Sequence, residues 1–242
     1  LRGDDRQPGT QVVVYKGLDQ EVVSKNAKQI QQMYDQAVND CRLQKGYTWS
    51  RKAMHPIRST KGNVNHIFGA DATDAGTQTQ TNLAGRKSVL RMLKFLKTIP
   101  GGENASIDRM MNETATRETF RIKGESTITV NDYQNGRKFD DALCYSFYPI
   151  DLHTKNGVVP KHLKKGVVPT IPRGSLIPKG STNLMVAGRC LSSDRYANSA
   201  ARVQASCMGM GQAAACTAVL AAKSSTTPKE VSLGEIHSLL RE

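Results

Sequence analysis

The sequence predicts a mixed α/β protein: a long α+β region comes first, followed by a short α/β segment of one strand, one turn and one long helix. Two observations predict this organisation. Helical and strand-like hydrophobic patterns are interleaved through the first part of the chain. A proline-rich crossover, Pro169–Pro178, then separates them from an apolar run that leads into small residues. We therefore expect two domains, residues 1–178 and residues 179–242.

The elements of the first region follow from hydrophobic spacing and from the residues that interrupt it. Extended patterns predict strands at Gln11–Lys16, Val64–Phe68, Glu118–Thr129 and Ala142–His153. Helical spacing predicts helices at Glu21–Lys45, ended by Gly46, at Thr81–Thr98, and in a short segment from Asn131. His55-Pro56 predicts irregular structure. Asp71 and Asp74 flank a turn, where a capped loop is more typical than a cation site.

The closing segment holds the most informative pattern. Leu184–Ala187 is a continuous apolar run, which predicts a strand buried on both faces. Gly188 follows at the carboxyl end, where α/β sheets place their ligands. Small residues then run to Ala222, and Asn198 or Ser199 is suited to cap the helix they form. A last helix is predicted within Glu230–Glu242.

The small-residue helix has one face that could lie very close to a neighbour. Ala205, Gly209 and Ala213 share that face at a spacing of four. The unpaired N–H groups at the helix start suit a phosphate, or a flavin ring that becomes anionic on reduction. The alternative is a tightly packed helix under a sheet with no ligand.

Composition limits the classes of function. The net charge of +13 could attract an anionic polymer, but the basic residues are dispersed apart from Lys161–Lys165, and few aromatic residues accompany them, so nucleic acid is disfavoured. Five cysteines without CxxC spacing exclude a disulfide framework, and no metal site is predicted. No uncharged apolar run reaches the roughly 18 residues of a membrane span, so we expect a soluble protein, with a reducing compartment favoured. Because the chain starts at Leu1 and stops within a helical pattern, we expect a piece of a longer protein.

Several segments, in this order, resemble the FAD-dependent oxidoreductases. The matching segments are Gly85-Arg86, Thr116–Gly124, Asn135–Ala142, Tyr148–His153, Ile171-Pro172, Ser175–Gly180, Asn183–Arg189 (NLMVAGR) and Arg202–Ala215 (RVQASCMGMGQAAA). The resemblance covers roughly Asn65 to Leu240, whereas earlier residues match loosely. It implies a dinucleotide-binding α/β domain interleaved with a substrate domain.

The resemblance also implies that half of the flavin site is missing. The family's G-x-G-x-x-G phosphate loop follows a strand, and this chain has none there; Gly209-Met-Gly211 lies within the predicted helix. Residues 1–178 would be the substrate-domain portion, matching from about residue 65. Residues 179–242 would close an incomplete, Rossmann-like FAD-binding domain. The expected partners are FAD, a small organic substrate and the missing N-terminal half of the flavin domain.

Individual site residues follow from the same resemblance. Gly188 and Arg189 are expected near the ribityl and pyrophosphate groups, and Arg202 and Val203 near the pyrimidine edge of the flavin. The cofactor-binding set is Ala187, Gly188, Arg189, Ser199, Arg202 and Val203.

Three further residues are candidates for the substrate side. His153 is the best histidine for proton transfer, with a hydrogen-bonded structural histidine as the alternative. Arg117 and Arg173, like Arg121, could hold a substrate carboxylate, although such an arginine more often forms a surface or inter-domain ion pair. At Ile171–Gly174 the sequence IPRG departs from the family's Ile-Pro-Tyr-Arg, so no anchoring arginine is transferred from that motif.

The resemblance therefore predicts part of an oxidoreductase that moves hydride from an organic substrate to flavin and is inactive alone. The other hypothesis is a non-catalytic basic module that binds an anionic polysaccharide or nucleic acid.

Overall fold

The computed structural model describes residues 6–47, 52–58, 62, 65–154, 157–158 and 160–241. Its strands are β1 (Gly9–Thr10), β2 (Val13–Lys16), β3 (His66–Ile67), β4 (Ser106–Met110), β5 (Ala142–Tyr145), β6 (His153–Thr154), β7 (Gly157–Val158) and β8 (Thr170–Pro172). Its helices are α1 (Gln20–Lys25), α2 (Ala27–Asn39), α3 (Met54–Arg58), α4 (Ala75–Leu96), α5 (Val130–Gln134), α6 (Arg195–Ala201), α7 (Gln204–Lys223) and α8 (Leu233–Leu239). The predicted mixture of helices and strands is confirmed.

The chain forms two compact units. The N-terminal unit contains residues 6–117 and 153–158, and the C-terminal unit contains residues 118–152 and 160–241. The domain boundary expected at residue 178 stays a prediction. Within the C-terminal unit, β8, before that boundary, pairs with β5, and α7, after it, packs against β5.

The N-terminal unit combines short antiparallel strand pairs with helices. β1 pairs with β3, β2 with β4, and β6 with β7. α4 begins with capping chemistry: the Asp74 carboxylate accepts the N–H groups of Gly76 and Thr77 at 2.8 and 3.0 Å. The core draws apolar side chains from α1, α2, α4 and the strands, including Val13, Val23, Ile30, Tyr34, Val89, Met92 and Leu96.

The C-terminal unit is built around the antiparallel pair β5–β8, with α7 and α8 against it. Its core includes Ile128, Tyr133, Leu143, Ile171, Leu176 and Met210. A chain of hydroxyls crosses this core, since the Ser146 Oγ lies 2.7 Å from the Tyr133 hydroxyl and 2.8 Å from the Ser206 Oγ. These bonds satisfy polar groups that burial would otherwise leave unpaired.

Two predictions in the N-terminal region are wrong. The helix predicted over Glu21–Lys45 is divided at Asn26, whose side chain donates to the Val22 carbonyl at 2.8 Å, and it ends at Asn39 rather than at Gly46. The early end follows from Cys41, which adopts a left-handed φ of 57°. His55-Pro56 lies inside α3, because proline is tolerated in the first turn of a helix. Residue 64 of the predicted Val64–Phe68 strand lies outside the described residues.

The strands predicted at Glu118–Thr129 and Leu184–Ala187 do not form within the described residues. The first makes only isolated bridges, Gly124 to Pro178 and Ile128 to Ser193. In the second, Leu184 is 54% exposed, and the Val186 N–H donates to the Leu176 carbonyl at 2.8 Å without a ladder. An apolar run becomes a doubly buried strand only when neighbouring strands pair with it.

The closing helix is interrupted, which corrects the predicted cap. Asp194, whose carboxylate accepts the Ala197 N–H at 2.8 Å, caps α6. Asn198 and Ser199 lie inside α6 and are fully buried, so neither is the cap. The chain then breaks at Arg202, and α7 starts after Val203. The face predicted to pack closely is only partly correct, since Ala205 is exposed.

One helix among the described residues, α7, has the length and composition to cross a membrane, and 28% of its most apolar stretch is buried. These properties are also typical of a helix inside a globular domain, and one face of α7 packs in this way. The buried stripe is Ser206, Met210, Ala213, Thr217 and Ala221.

Candidate functional site

The residues predicted to bind the cofactor come together in the C-terminal unit. A 3₁₀ turn at Gly188–Cys190 lies beside the break between α6 and α7. Gly188 has a φ of +85°, and a β-carbon there would lie 3.6 Å from Cys207 Sγ. Glycine therefore fits the left-handed backbone that this turn requires.

Hydrogen bonds to backbone carbonyls fix both sides of this site. Asn198 Nδ2 donates to the Arg189 carbonyl at 3.0 Å, and the Cys207 thiol donates to the Arg202 carbonyl at 3.1 Å. The Cys190 thiol donates to the Ala187 carbonyl at 3.5 Å. Asn198 Oδ1 is buried and has no hydrogen-bond partner among the described residues. A buried amide oxygen of this kind calls for a donor.

The start of α7 concentrates positive charge. Val203 is the N-cap residue of α7, and its side chain makes no capping hydrogen bond. The first N–H groups of the helix therefore receive no hydrogen bond from a capping side chain. Arg202 Nη2 lies 3.3 Å from the Asp151 carbonyl and 3.8 Å from the Asp151 carboxylate. Burial lowers the pKa of Arg202, while Asp151 and Glu118 oppose that shift. The guanidinium nevertheless stays charged at neutral pH.

Ser199 holds Asp151 in place for this contact. The Ser199 Oγ accepts the Asp151 N–H at 3.2 Å and donates to the Tyr196 carbonyl at 2.7 Å. The predicted residue Ser199 therefore belongs to the site through its bond to Asp151, not through a cap.

Two cysteines of the C-terminal unit, Cys144 and Cys207, are not activated nucleophiles. All five cysteines of the chain are free thiols. Burial raises the pKa of Cys207, and the nearby Arg189 and Arg202 only partly offset this; burial also raises the pKa of Cys144 to about 12. Both thiols stay protonated at neutral pH, and Cys207 packs against the core of the C-terminal unit as a small hydrophobic residue does.

A buried carboxylate near Arg202 was not predicted from the sequence. Glu118, whose side chain is 2% exposed, lies 3.3 Å from Arg121 Nη1 and 3.4 Å from Arg195 Nε. A buried carboxylate is stable when such partners surround it. Local patterns could not identify this pairing, since Arg195 is 77 positions further along the chain.

The three predicted catalytic residues fall in different units. His153 and Arg117 belong to the N-terminal unit, and Arg173 belongs to the C-terminal unit. His153 is 8% exposed, and its Nδ1 lies 3.0 Å from His66 Nε2. His66 is not among the site residues predicted from the sequence, so its pairing with His153 was missed.

Arg117 and Arg173 bond to backbone carbonyls. Arg117 Nη1 donates to the Pro8 carbonyl at 2.5 Å, and Arg173 Nη1 donates to the Val231 carbonyl at 2.6 Å. Burial lowers the pKa of Arg173, and Asp141 opposes that shift. Arg173 thus ties the segment before α8 to β8, and the carboxylate-binding role of both arginines stays a prediction.

Comparison with protein families shows which family the chain belongs to. The family described as FAD dependent oxidoreductase matches residues 2–240. The chain belongs to this family. No curated protein and no solved structure matches the chain. The match reaches much closer to the N-terminus than the Asn65 limit of the motifs, so the chain resembles this family over nearly the whole 242-residue sequence.

The residues of the candidate site fit the cofactor that this family binds. A flavin offers N–H donors and carbonyl acceptors at its pyrimidine ring and carries negative charge on its phosphates. The buried Asn198 oxygen, the uncapped start of α7, and Arg189 and Arg202 form a complementary donor and acceptor set. No group of three or more His, Cys, Asp or Glu side chains in the described part of the chain could hold a metal ion.

Proposed function

We propose that this chain is the C-terminal part of a larger FAD-dependent oxidoreductase that oxidises a small organic substrate by hydride transfer. Residues 1–178 would be its substrate-domain portion, and residues 179–242 would close the flavin domain. When bound, FAD would supply the hydride acceptor. The observation that carries the proposal is the grouping of Gly188, Arg189, Arg202 and Val203 at the start of α7, within a chain of this family.

Two observations support a missing partner half. The sequence has no G-x-G-x-x-G after a strand, since Gly209 and Gly211 lie inside α7. The second observation concerns the face of α7 that lies opposite its buried stripe. This face is exposed, although it is largely apolar. The exposed residues of α7 are six apolar ones, Ala205, Met208, Ala215, Ala218, Val219 and Ala222, together with the polar Gln204, Gln212 and Lys223. An apolar helix exposed in this way is typical of an incompletely covered core.

The residues of this chain would bind and orient the cofactor. Arg202, held by Asp151, and the N–H groups at the start of α7 would stabilise negative charge on the bound ring. Arg189 would face the more distal, phosphate-bearing part, as the family resemblance implies. This binding set is largely backbone and guanidinium, which suits an anionic group.

On the substrate side, His153 would accept a proton from the substrate, and Arg117 and Arg173 are the candidates for holding a substrate carboxylate. A neutral imidazole is suited to the first role at physiological pH. Both arginines donate to backbone carbonyls, so they would have to give up these partners in order to bind a substrate carboxylate.

The proposal is tested by FAD binding in the full-length protein. We expect flavin absorbance bands after purification or FAD addition, and Arg202→Gln should weaken FAD binding at least tenfold because it removes a charged donor. Lys223→Gln is the matched control at the exposed far end of α7, and it should leave binding unchanged.

Absence of flavin bands even with added FAD would contradict the proposal. If the protein instead bound an anionic polymer with a steep loss of affinity at higher salt, the basic-module alternative would be favoured. The family match gives that alternative no support. Reading the coding sequence upstream of Leu1 is a second test, since a strand followed by G-x-G-x-x-G should be found there.

A further inference from the structure

The outward face of α4 and its C-cap residue carries basic side chains and no acidic one. Ala75–Lys97 contains no Asp or Glu. The basic residues of this segment, all exposed, are Arg86, Lys87, Arg91, Lys94 and Lys97. None of them forms an ion pair with another described residue. Because charges of both signs usually alternate on a solvated helix face, this helix leaves an uncompensated positive charge on the surface of the N-terminal unit.

Two leucines lie in the middle of these charges. Leu83 is 44% exposed and Leu90 is 53% exposed. A central stripe within about 60° around the helix axis consists of Leu83, Lys87, Leu90 and Lys94. Arg86 and Arg91 flank this stripe on its two sides. Together with Lys97, these residues form the basic face of α4.

A neighbouring loop adds a third exposed apolar residue. Arg86 Nη2 donates to the Asn112 carbonyl at 3.2 Å, which places the loop that contains Met111 beside α4. Met111 is 59% exposed. Among the described residues, the large exposed apolar side chains of the N-terminal unit are Leu83, Leu90 and Met111. All three therefore lie on the basic face or on the loop next to it.

The opposite face of α4 is fixed in the core of the N-terminal unit. Val89, Met92 and Leu96 are at most 1% exposed. The helix is therefore held rigidly, and the basic face is presented by a folded unit rather than by a free amphipathic segment. A partner must bind this face from outside, because the helix cannot turn its buried side outwards without unfolding the unit.

We propose that the basic face of α4 binds the surface of a membrane that contains anionic lipids. The basic side chains lie among the lipid phosphates, and the leucines reach the boundary between headgroups and acyl chains. A nucleic acid or an anionic polysaccharide would satisfy the charges but would gain little from exposed leucines at their centre, so the apolar stripe favours lipid. The proposal goes beyond the proposed oxidoreductase function and does not depend on it.

Sedimentation with vesicles tests the proposal in the 242-residue chain and in the full-length protein. One set of vesicles contains equal amounts of phosphatidylglycerol and phosphatidylcholine, and the other contains phosphatidylcholine alone. We expect both proteins to sediment with the mixed vesicles and to bind phosphatidylcholine alone at least about tenfold more weakly, because only the mixed surface is anionic.

A charge variant tests the contribution of the basic side chains. Lys87→Gln combined with Lys94→Gln should weaken binding to mixed vesicles by about tenfold or more, because two lysines near the anionic surface are lost. Lys28→Gln combined with Lys223→Gln is the matched control, since it removes the same charge from exposed positions of α2 and α7. The control should bind nearly as well as the unmodified chain.

An apolar variant tests the contact with the acyl chains. Leu83→Gln combined with Leu90→Gln keeps the charge and should weaken vesicle binding by about tenfold, because less apolar area enters the membrane. Val219→Gln, at a residue of α7 that is 47% exposed, is the control and should leave binding unchanged. Thermal unfolding should be nearly unchanged in both variants, since these side chains already face solvent.

Three results would overturn the proposal. The first is equal binding to the two kinds of vesicle, or mixed-vesicle binding that only Val219→Gln weakens, which would assign the contact to α7. The second is unchanged binding by the leucine variant together with equally tight binding to duplex DNA, which would make the face a general polyanion site. The third is binding by this chain but not by the full-length protein, which would show that the rest of the protein covers the face.

Discussion

The two compact units differ in how completely they cover their apolar side chains. In the N-terminal unit, apolar faces of α1, α2 and α4 converge on one core, and the strands pair over it. In the C-terminal unit, Met208 is 68% exposed and Leu184 is 54% exposed, and both belong to the segment that carries the candidate flavin site. The N-terminal unit also exposes Leu83, Leu90 and Met111 by 44–59%, so the difference is one of degree: among the described residues, more of the large exposed apolar side chains lie in the C-terminal unit.

The largest expected loss of stability comes from breaking the buried ion pairs of Glu118 in the C-terminal unit. Glu118→Gln should lower the free energy of unfolding by about 3 kcal/mol, because it leaves two partly buried guanidinium groups without their carboxylate. The matched control is Glu125→Gln, whose partner Lys229 is well exposed, and it should cost below about 1 kcal/mol. Urea unfolding measures both. Equal effects would show that the Glu118 network is not a buried one.

A matched pair of core methionines compares the two units directly. Met92 in α4 and Met210 in α7 are both fully buried, and replacing either by alanine should cost about 2–4 kcal/mol. Hydrogen exchange should show the largest loss of protection in the unit that carries the substitution. If Met210→Ala costs almost nothing, the core of the C-terminal unit is not tightly packed around that side chain.

A substitution on the exposed face of α7, unlike one in the core, should leave the stability of the chain almost unchanged. Met208→Lys should change the stability of this chain by less than about 0.5 kcal/mol, because the side chain already faces solvent. In the full-length protein the same change should lower FAD retention severalfold, since it would place a charge where the proposed partner half would pack. Gln32→Lys, at an exposed position of α2 in the N-terminal unit, is the comparison variant. A large loss of stability in the isolated chain would contradict the exposure of this face.

The smallest effect concerns the Arg6–Asp71 pair of the N-terminal unit. Burial alone would raise the pKa of Asp71, but the bonds from Arg6 and Thr73 outweigh it and lower that pKa to about 2. A lowered folded-state pKa contributes stability above about pH 4, and this contribution is lost as the pH falls towards 2. Arg6→Gln should therefore lower the Tm more at pH 7 than at pH 3. An equal decrease at both pH values would exclude the ion pair as its cause.

Local chemistry predicted some elements well and others badly. The helix predicted over Thr81–Thr98 is present as α4, because its apolar spacing is local, but its first turn and its Asp74 cap were missed: α4 begins at Ala75, six residues earlier than predicted. Leu184–Ala187 has the composition of a buried strand, but strand formation depends on neighbours that a local pattern cannot supply. Several residues between Asp194 and Ser199 can cap a helix, and spacing alone did not distinguish them.

The candidate site shows the same limit. The resemblance identified Gly188, Arg189, Arg202 and Val203, and these lie together. It could not identify Glu118 with Arg195 or His66 with His153, because those pairs join residues 77 and 87 positions apart. Such contacts follow from topology, which hydrophobic spacing does not determine.

FAD titration of this chain beside the full-length protein tests the central claim most directly. The account predicts flavin absorbance and saturable binding in the full-length protein, with binding to this chain alone weaker by at least a hundredfold or not detectable. Equally tight binding to this chain alone would contradict the claim that it forms only one part of the flavin site.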